Sequence, residues 1–196
     1  MRGNGGKRRV RAALACAGLA ALAAVAAPAS ATASTALPEG HGTTSGHGKP
    51  GYTLPEGTPK PEGDFTVRSV YKVVRGVQTY TCTADGTWGT ASTPEARLVR
   101  YGGPGRIHHY AGPRWTSERD GSTLLGTVVT RVPQTGTIPW LLLSTVAEKP
   151  GRELGAVQYI SRVNTSGGVA PTGTCTPGAT QSVRYGAAYV FWVPKA

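Results

Sequence analysis

Tyr185-Gly186-Ala187-Ala188-Tyr189-Val190-Phe191-Trp192-Val193 is the stretch of sequence that decides the fold class. In an extended strand successive side chains point to opposite faces, so one face carries Tyr185, Ala187, Tyr189, Phe191 and Val193. This row predicts one wall of an apolar core. No long segment of the domain shows the 3.6-residue apolar period of an amphipathic helix, so we expect this strand to pack with other strands.

The rest of the domain also has the sequence pattern of a β protein, with short runs rich in Val, Ile, Thr and Tyr between turns rich in Gly and Pro. The alternation is clear in residues 76–82, where Gln78, Tyr80 and Cys82 share a face. Further strands are predicted at 67–74, 96–101, 106–110, 124–132, 138–146 and 156–163. Eight or nine short strands at this spacing predict an all-β, single-domain antiparallel fold, either a sandwich or a closed barrel.

The N-terminus has the three parts of a secretory signal peptide. Five basic residues precede an apolar run at 12–27, and small residues follow, with small-x-small patterns ending at Ala31 and Ala33. The apolar run is shorter than the roughly 20 residues that span a bilayer. We therefore expect residues 1–33 to be removed on export, and a secreted or cell-wall-associated protein without a membrane span.

The mature chain divides into two parts. Residues 34–63 are rich in Gly, Pro and Thr and have few large aliphatic side chains, which predicts a flexible arm. Residues 64–196 are long enough for one β domain with its own core. Cys82 and Cys175 are the two cysteines that remain after the signal, and in an oxidising compartment they are interpreted as one disulfide.

The charge balance argues against a nucleic-acid partner. The full chain has 21 basic and 10 acidic residues and a net charge of +11, but the five basic residues of the signal reduce the mature charge to about +6. The remaining basic residues are spread singly, without the basic and aromatic interleaving of a nucleic-acid surface. The sequence also lacks cofactor fingerprints and metal-ligand spacings, so no cofactor and no metal site is predicted. It leaves the oligomeric state open.

The densest polar and aromatic cluster is His108-His109-Tyr110-Ala111-Gly112-Pro113-Arg114-Trp115, followed by Asp120-Gly121-Ser122. Adjacent residues of a strand point to opposite faces, so at most one of the two histidines lines a given pocket. A histidine oriented by Asp120 would serve as a general base for Ser122 or Ser117, which is the hydrolase hypothesis. The alternative is that the histidine and Trp115 are packing groups.

Ile138-Pro139-Trp140-Leu141-Leu142-Leu143 is the most apolar segment of the domain. Its proline fits the start of a strand, an edge or a bulge. Trp140 is interpreted as a core residue, with the lining of a ligand cavity as the alternative. Arg162 is interpreted as a surface residue at the end of a strand, with anion binding as the alternative.

The ordered blocks of the domain resemble a known family, the secreted bacterial and fungal family called domain of unknown function 3455. The blocks that carry the resemblance are 76–82, Trp88, 94–96, 109–115, 120–122, 138–143, 162–168, Cys175 and 189–191. The resemblance implies one exported domain that contains both cysteines, and it favours His109 over His108 as the motif histidine. It implies no catalytic role.

The leading functional hypothesis is a non-enzymatic β domain that binds a small molecule or a cell-surface polysaccharide. The side chains assigned to that role are His109, Trp115, Trp140 and Asp120, because they combine aromatic faces with hydrogen-bonding groups. The alternatives are the hydrolase hypothesis and a structural protein of the cell envelope or matrix.

Overall fold

The computed structural model describes residues 51–196, and every regular element in that range is a β-strand. No helix among these residues has the length and apolar character needed to cross a membrane. The predicted signal peptide at 1–33 and residues 34–50 of the predicted arm lie outside the described residues. The domain boundaries drawn from the sequence therefore stay a prediction.

Eight strands form one closed antiparallel barrel, in which each strand pairs with the next and β8 pairs with β1. In chain order they are β1 Phe65–Cys82, β2 Trp88–Arg100, β3 Arg106–Tyr110, β4 Arg114–Ser117, β5 Thr123–Val132, β6 Trp140–Lys149, β7 Tyr159–Gly167 and β8 Thr180–Pro194. The predicted all-β antiparallel fold is confirmed, and of the two predicted architectures the protein adopts the barrel. Each strand of the closed sheet has a neighbouring strand on both sides.

Several strand bounds differ from the prediction, most of all at β2, which begins at Trp88 and not at residue 96, and two differences change the set of strands. The runs 67–74 and 76–82 form one strand, β1. A bulge after Val73 shifts the register with β2, and the two strands stay paired on both sides of the bulge. A Cβ at Gly76 would lie 2.7 Å from the Tyr185 ring, so glycine permits this close approach. Periodicity does not predict β4, because four residues are too few to show an alternation.

The inside of the barrel is apolar and contains the row predicted from the C-terminal stretch. Tyr185, Ala187, Tyr189 and Phe191 are all buried in the main core cluster. The opposite face of β8 is buried as well, through Ala188, Val190 and Trp192. The strand is therefore apolar on both faces, with the barrel interior on one side and a second apolar cluster on the other.

The second cluster lies on the outside of the barrel, where residues of the predicted arm cover it. Tyr52 and Leu54 pack against it. The buried Ser161 hydroxyl accepts a hydrogen bond from Trp192 Nε1 at 2.9 Å and donates one to the Pro59 carbonyl at 2.6 Å. Composition predicts a flexible arm here, whereas the described part of the arm, residues 51–63, makes specific contacts with the barrel wall.

The predicted disulfide is confirmed. Cys82 at the end of β1 is bonded to Cys175 in the loop before β8, at a sequence separation of 93 and with the two Cα atoms 5.9 Å apart. An isolated bridge between Thr87 and Thr174 pairs the same two segments. The covalent link thus joins the start of the barrel to its last loop.

Candidate functional site

A cavity of about 400 Å³ lies inside one end of the barrel. All eight strands contribute to its lining, with Gln78, Pro94, His109, Trp115, Val128, Leu143, Arg162 and Tyr189 as one residue from each. Its volume lies within the range of small-molecule sites, which is roughly 300–1,000 Å³. The closed sheet therefore encloses a space of the size that a small organic molecule fills.

The cavity has an exposed rim and a buried floor. Residues 90–93 and Arg131 line it and are exposed to solvent, as is part of the turn 111–113. His109, Trp115 and Tyr189 line it and are at most 2% exposed. A ligand entering past the rim would meet these three rings at the floor.

The three rings form a packed group that we call the aromatic triad, His109, Trp115 and Tyr189. His109 stacks on Trp115 with ring centres 4.5 Å apart and planes 10° apart. Tyr189 meets both rings edge to face, at 5.1 and 5.8 Å. A Cβ at Gly126 would lie 2.7 Å from Trp115, so the absence of a side chain there makes room for the indole. Register explains the stack, because His109 and Trp115 are direct partners in the β3–β4 hairpin.

The imidazole of His109 is held in one orientation and is neutral near pH 7. Its Nδ1 donates to the Arg114 carbonyl at 2.8 Å. Burial lowers the pKa of His109 to about 3, and the positive charge of Arg162 acts in the same direction, although the bond to the carbonyl opposes them. Since Nδ1 carries the proton, Nε2 is a hydrogen-bond acceptor at the floor of the cavity.

Arg162 brings a positive charge into the cavity wall. In the pairing of β6, β7 and β8 it is the direct neighbour of Leu141 and Tyr189. Its Nε and Nη2 both donate to the Pro139 carbonyl, at 3.1 and 2.9 Å. It lies on the inward face of β7, half-buried, and lines the cavity, which differs from the predicted surface position; the anion-binding alternative stays a prediction.

Two cavity-lining residues carry buried donors without a protein partner. Gln78 is 2% exposed; its Oε1 accepts from the Ser92 hydroxyl at 2.6 Å, but its Nε2 bonds to none of the described residues. The indole Nε1 of Trp115 also has no partner among residues 51–196. Most buried polar groups in folded proteins are hydrogen-bonded, so unpaired donors beside a cavity indicate where a ligand or water binds.

Trp140 does not line the cavity. It is half-buried in the outer cluster, and its neighbours Leu141 and Leu143 face inward instead. The strand β6 begins directly after Pro139, as the proline predicts. Alternation then places Trp140 on the outer face.

The turn at 111–113 lines the cavity and precedes β4, whereas Asp120 and Ser122 follow β4, at its other end. The Asp120 carboxylate accepts hydrogen bonds from the Ser122 hydroxyl at 2.6 Å and from the Glu153 amide at 2.9 Å, which hold the pKa of Asp120 well below its ordinary value. The bond that His109 makes through Nδ1 goes to Arg114. The structure thus brings Asp120 and Ser122 together, but it does not bring either to His109.

Asp120 instead lines a second hollow, of about 470 Å³, which we call the arginine cleft: Arg68, Ser69, Arg100, Arg119, Asp120, Arg152 and Glu153. Several of the arginines in the cleft already interact with the Glu153 carboxylate or with backbone carbonyls. Arg68 donates to the backbone carbonyls of residues 152 and 153, and Arg100 and Arg119 lie 3.8 and 3.9 Å from the Glu153 carboxylate. Tyr71 also donates to this carboxylate, at 2.6 Å.

Sequence reasoning did not assign Gln78 or Tyr189 to the site. A signal for Gln78 exists, since it is a polar side chain on the face that it shares with Tyr80 and Cys82, and all three are buried. Tyr189 is hidden among the apolar residues of its row. Nothing in the local pattern distinguishes a tyrosine that lines a cavity from one that fills a core.

Part of the chain matches the model of a known family. No curated protein and no solved structure matches the chain. Residues 105–193 match the model of a family described as "Protein of unknown function (DUF3455)", and this segment includes His109, Trp115, Arg162 and Tyr189 of the cavity lining. The segment 105–193 is therefore similar to the DUF3455 family, which is the resemblance that the ordered blocks of the sequence indicate.

Proposed function

We propose that this chain is an exported protein whose barrel binds a small organic molecule in the end cavity and catalyses no reaction on it. The observation that carries the proposal is the cavity itself, about 400 Å³ in volume, open at the rim and floored by the aromatic triad. Aromatic and aliphatic walls with a few fixed polar groups are typical of small-molecule sites. The disulfide supports export, because such bonds persist in oxidising compartments.

The proposal keeps His109 and Trp115 from the sequence prediction and adds Arg162, Gln78 and Tyr189. A small molecule is favoured over a polysaccharide, because a sugar chain binds along an open groove or stacks on a free aromatic face. One face of Trp115 is covered by His109, and the indole is 1% exposed. The hydrolase hypothesis is not supported, since its histidine, aspartate and serine are not assembled.

Native mass spectrometry of the protein recovered from the medium of its own cells tests the proposal. We expect a polypeptide that lacks residues 1–33 or close to it, two hydrogens lighter because of the disulfide, and carrying a small non-covalent adduct. The adduct should be lost when the protein is denatured. A mature polypeptide that carries no adduct would count against ligand binding.

A pair of neighbouring valines provides the control. Val128 lines the cavity, whereas Val129 is 56% exposed on the outside of the barrel. Val128→Phe should fill part of the cavity and remove the adduct, and Val129→Phe should retain it. If Val128→Phe retains the adduct in a folded protein, the molecule binds elsewhere and the proposal is wrong.

A further inference from the structure

We infer that the molecule bound in the cavity is a small organic anion, and that Arg162 binds its acidic group. This inference rests on the proposed function and names the chemical class of its ligand. The acidic group is a carboxylate, sulfonate or phosphate on a compact apolar body.

The first argument is the charge of the lining. Arg162 and Arg131 both line the cavity, and the described residues that line it include no aspartate or glutamate. Arg162 forms no ion pair with a described carboxylate, and the acceptor of its Nε and Nη2 groups is the uncharged Pro139 carbonyl. A cation removed from bulk water without a counter-ion is costly, and an anion bound beside it would offset that cost.

The second argument is the kind of hydrogen bond that is missing. Two buried nitrogens of the lining have no partner among residues 51–196, Gln78 Nε2 and Trp115 Nε1, and both are donors; the acceptor Nε2 of the neutral His109 is a single uncharged group beside them. Together with Arg162 they present N–H groups to the cavity. An acceptor-rich group such as a carboxylate satisfies several donors at once, and charge strengthens each of those bonds.

The third argument is the apolar character of the cavity wall. Val128, Ile138, Leu141 and Leu143 line the cavity beside the aromatic triad. A hydrophilic anion such as free phosphate would leave these side chains facing water. A flat apolar body covers them, so the favoured ligand has an apolar body and one acidic end.

The arginine cleft is a poorer anion site although it contains more arginines. Asp120 and Glu153 also line it, and Arg100 and Arg119 both lie within 4 Å of the Glu153 carboxylate. Arg68 is bonded to backbone carbonyls. An anion entering the cleft would compete with carboxylates that are already present.

Two probes of the same shape and different charge test the inference: 2-naphthoate, which is an anion at pH 7, and 2-naphthamide, which is neutral. Isothermal titration calorimetry on the full mature protein measures the affinity for each. We expect the native protein to bind the acid at least about tenfold more tightly than the amide, as one charged hydrogen bond predicts. Arg162→Gln should reduce this preference to about twofold or less.

Four further variants make the result specific. Arg119→Gln changes an arginine of the cleft that is 69% exposed, and it should leave both affinities unchanged. Val128→Phe should weaken both probes, and Val129→Phe should weaken neither. Because Arg162 also supports the Pro139 carbonyl, Arg131→Gln at the rim serves as a second charge variant if Arg162→Gln does not fold, and a smaller loss of the preference is expected.

Equal binding of acid and amide, both blocked by Val128→Phe, would overturn the anion inference while the proposed cavity function stands. Tighter binding of the acid that depends on Arg119 and not on Arg162 would assign the anion to the cleft, and this too overturns the inference. Failure of the native protein to bind the acid at millimolar concentration also refutes it. The adduct observed by native mass spectrometry then decides separately whether the cavity binds a neutral molecule.

Discussion

Acidification from pH 7 to pH 5 should destabilise this protein by about 2 kcal/mol through His109 alone. The pKa of a histidine in an unfolded chain is about 6.5, whereas burial lowers the pKa of His109 to about 3 in the barrel. Between these values the unfolded chain binds a proton that the folded protein does not. The free energy of unfolding therefore falls as the pH falls below about 6.5, and at pH 5 the difference amounts to about 2 kcal/mol.

The assay is urea unfolding of the mature protein at pH 7 and pH 5, followed by circular dichroism. The perturbed protein is His109→Asn, whose amide nitrogen replaces Nδ1 as donor to the Arg114 carbonyl but does not titrate. We expect the native protein to lose about 2 kcal/mol more than this variant over the same interval. The carboxylate of Asp120 does not obscure the difference, because its lowered pKa affects stability only below about pH 4.

His108→Asn is the matched control. His108 is the adjacent residue on the outer face of β3, 41% exposed and paired with Glu95 at 2.7 Å. This variant should retain the loss of stability on acidification that the buried His109 causes. If His109→Asn and the native protein lose equal stability between pH 7 and pH 5, the buried, neutral imidazole is the wrong description of the cavity floor.

Three further predictions concern the framework that holds the cavity. Cys175→Ser opens a loop of 93 residues, and the chain-entropy model predicts a loss of about 4–5 kcal/mol in guanidinium unfolding; a loss below about 1 kcal/mol would contradict it. Gly126→Ala places a Cβ 2.7 Å from Trp115 and should lower the free energy of unfolding by about 1–3 kcal/mol. Its control is Gly51→Ala, where the space is open and the change should stay within about 0.5 kcal/mol. Equal changes in the two variants would exclude a steric conflict at Gly126. Ser161→Ala leaves the indole and the carbonyl that it bridges without partners and should cost about 1–3 kcal/mol in urea unfolding; a neutral result would show that the segment at 51–63 does not depend on this contact.

The strand content could be predicted from the sequence, because alternation is a local property of an extended chain. Tyr189 and Phe191 belong to one face whatever the strand packs against, and the structure buries both inside the barrel. The short strand β4 could not be predicted in this way. It forms because Trp115 pairs with His109 on one side and with Leu124 on the other.

The site could be predicted only in part. His109 and Trp115 can be identified from the sequence because both belong to one dense polar and aromatic cluster, residues 108–115. Trp140 and Asp120 are equally prominent in the sequence, yet the structure places Trp140 in the outer cluster and Asp120 in the arginine cleft. Prominence in the sequence does not indicate which side of a sheet, or which end of a barrel, a side chain occupies.

The sequence by itself determined the β class, the inward row of the last strand and the pairing of the two remaining cysteines. The tertiary structure alone decided that the sheet closes, and that Gln78, Arg162 and the aromatic triad meet in one cavity. The physical reason is that β8 is apolar on both faces, with Tyr189 on one and Val190 and Trp192 on the other. Alternation separates two such faces, but only strand order and register across the closed sheet decide which of them encloses the cavity.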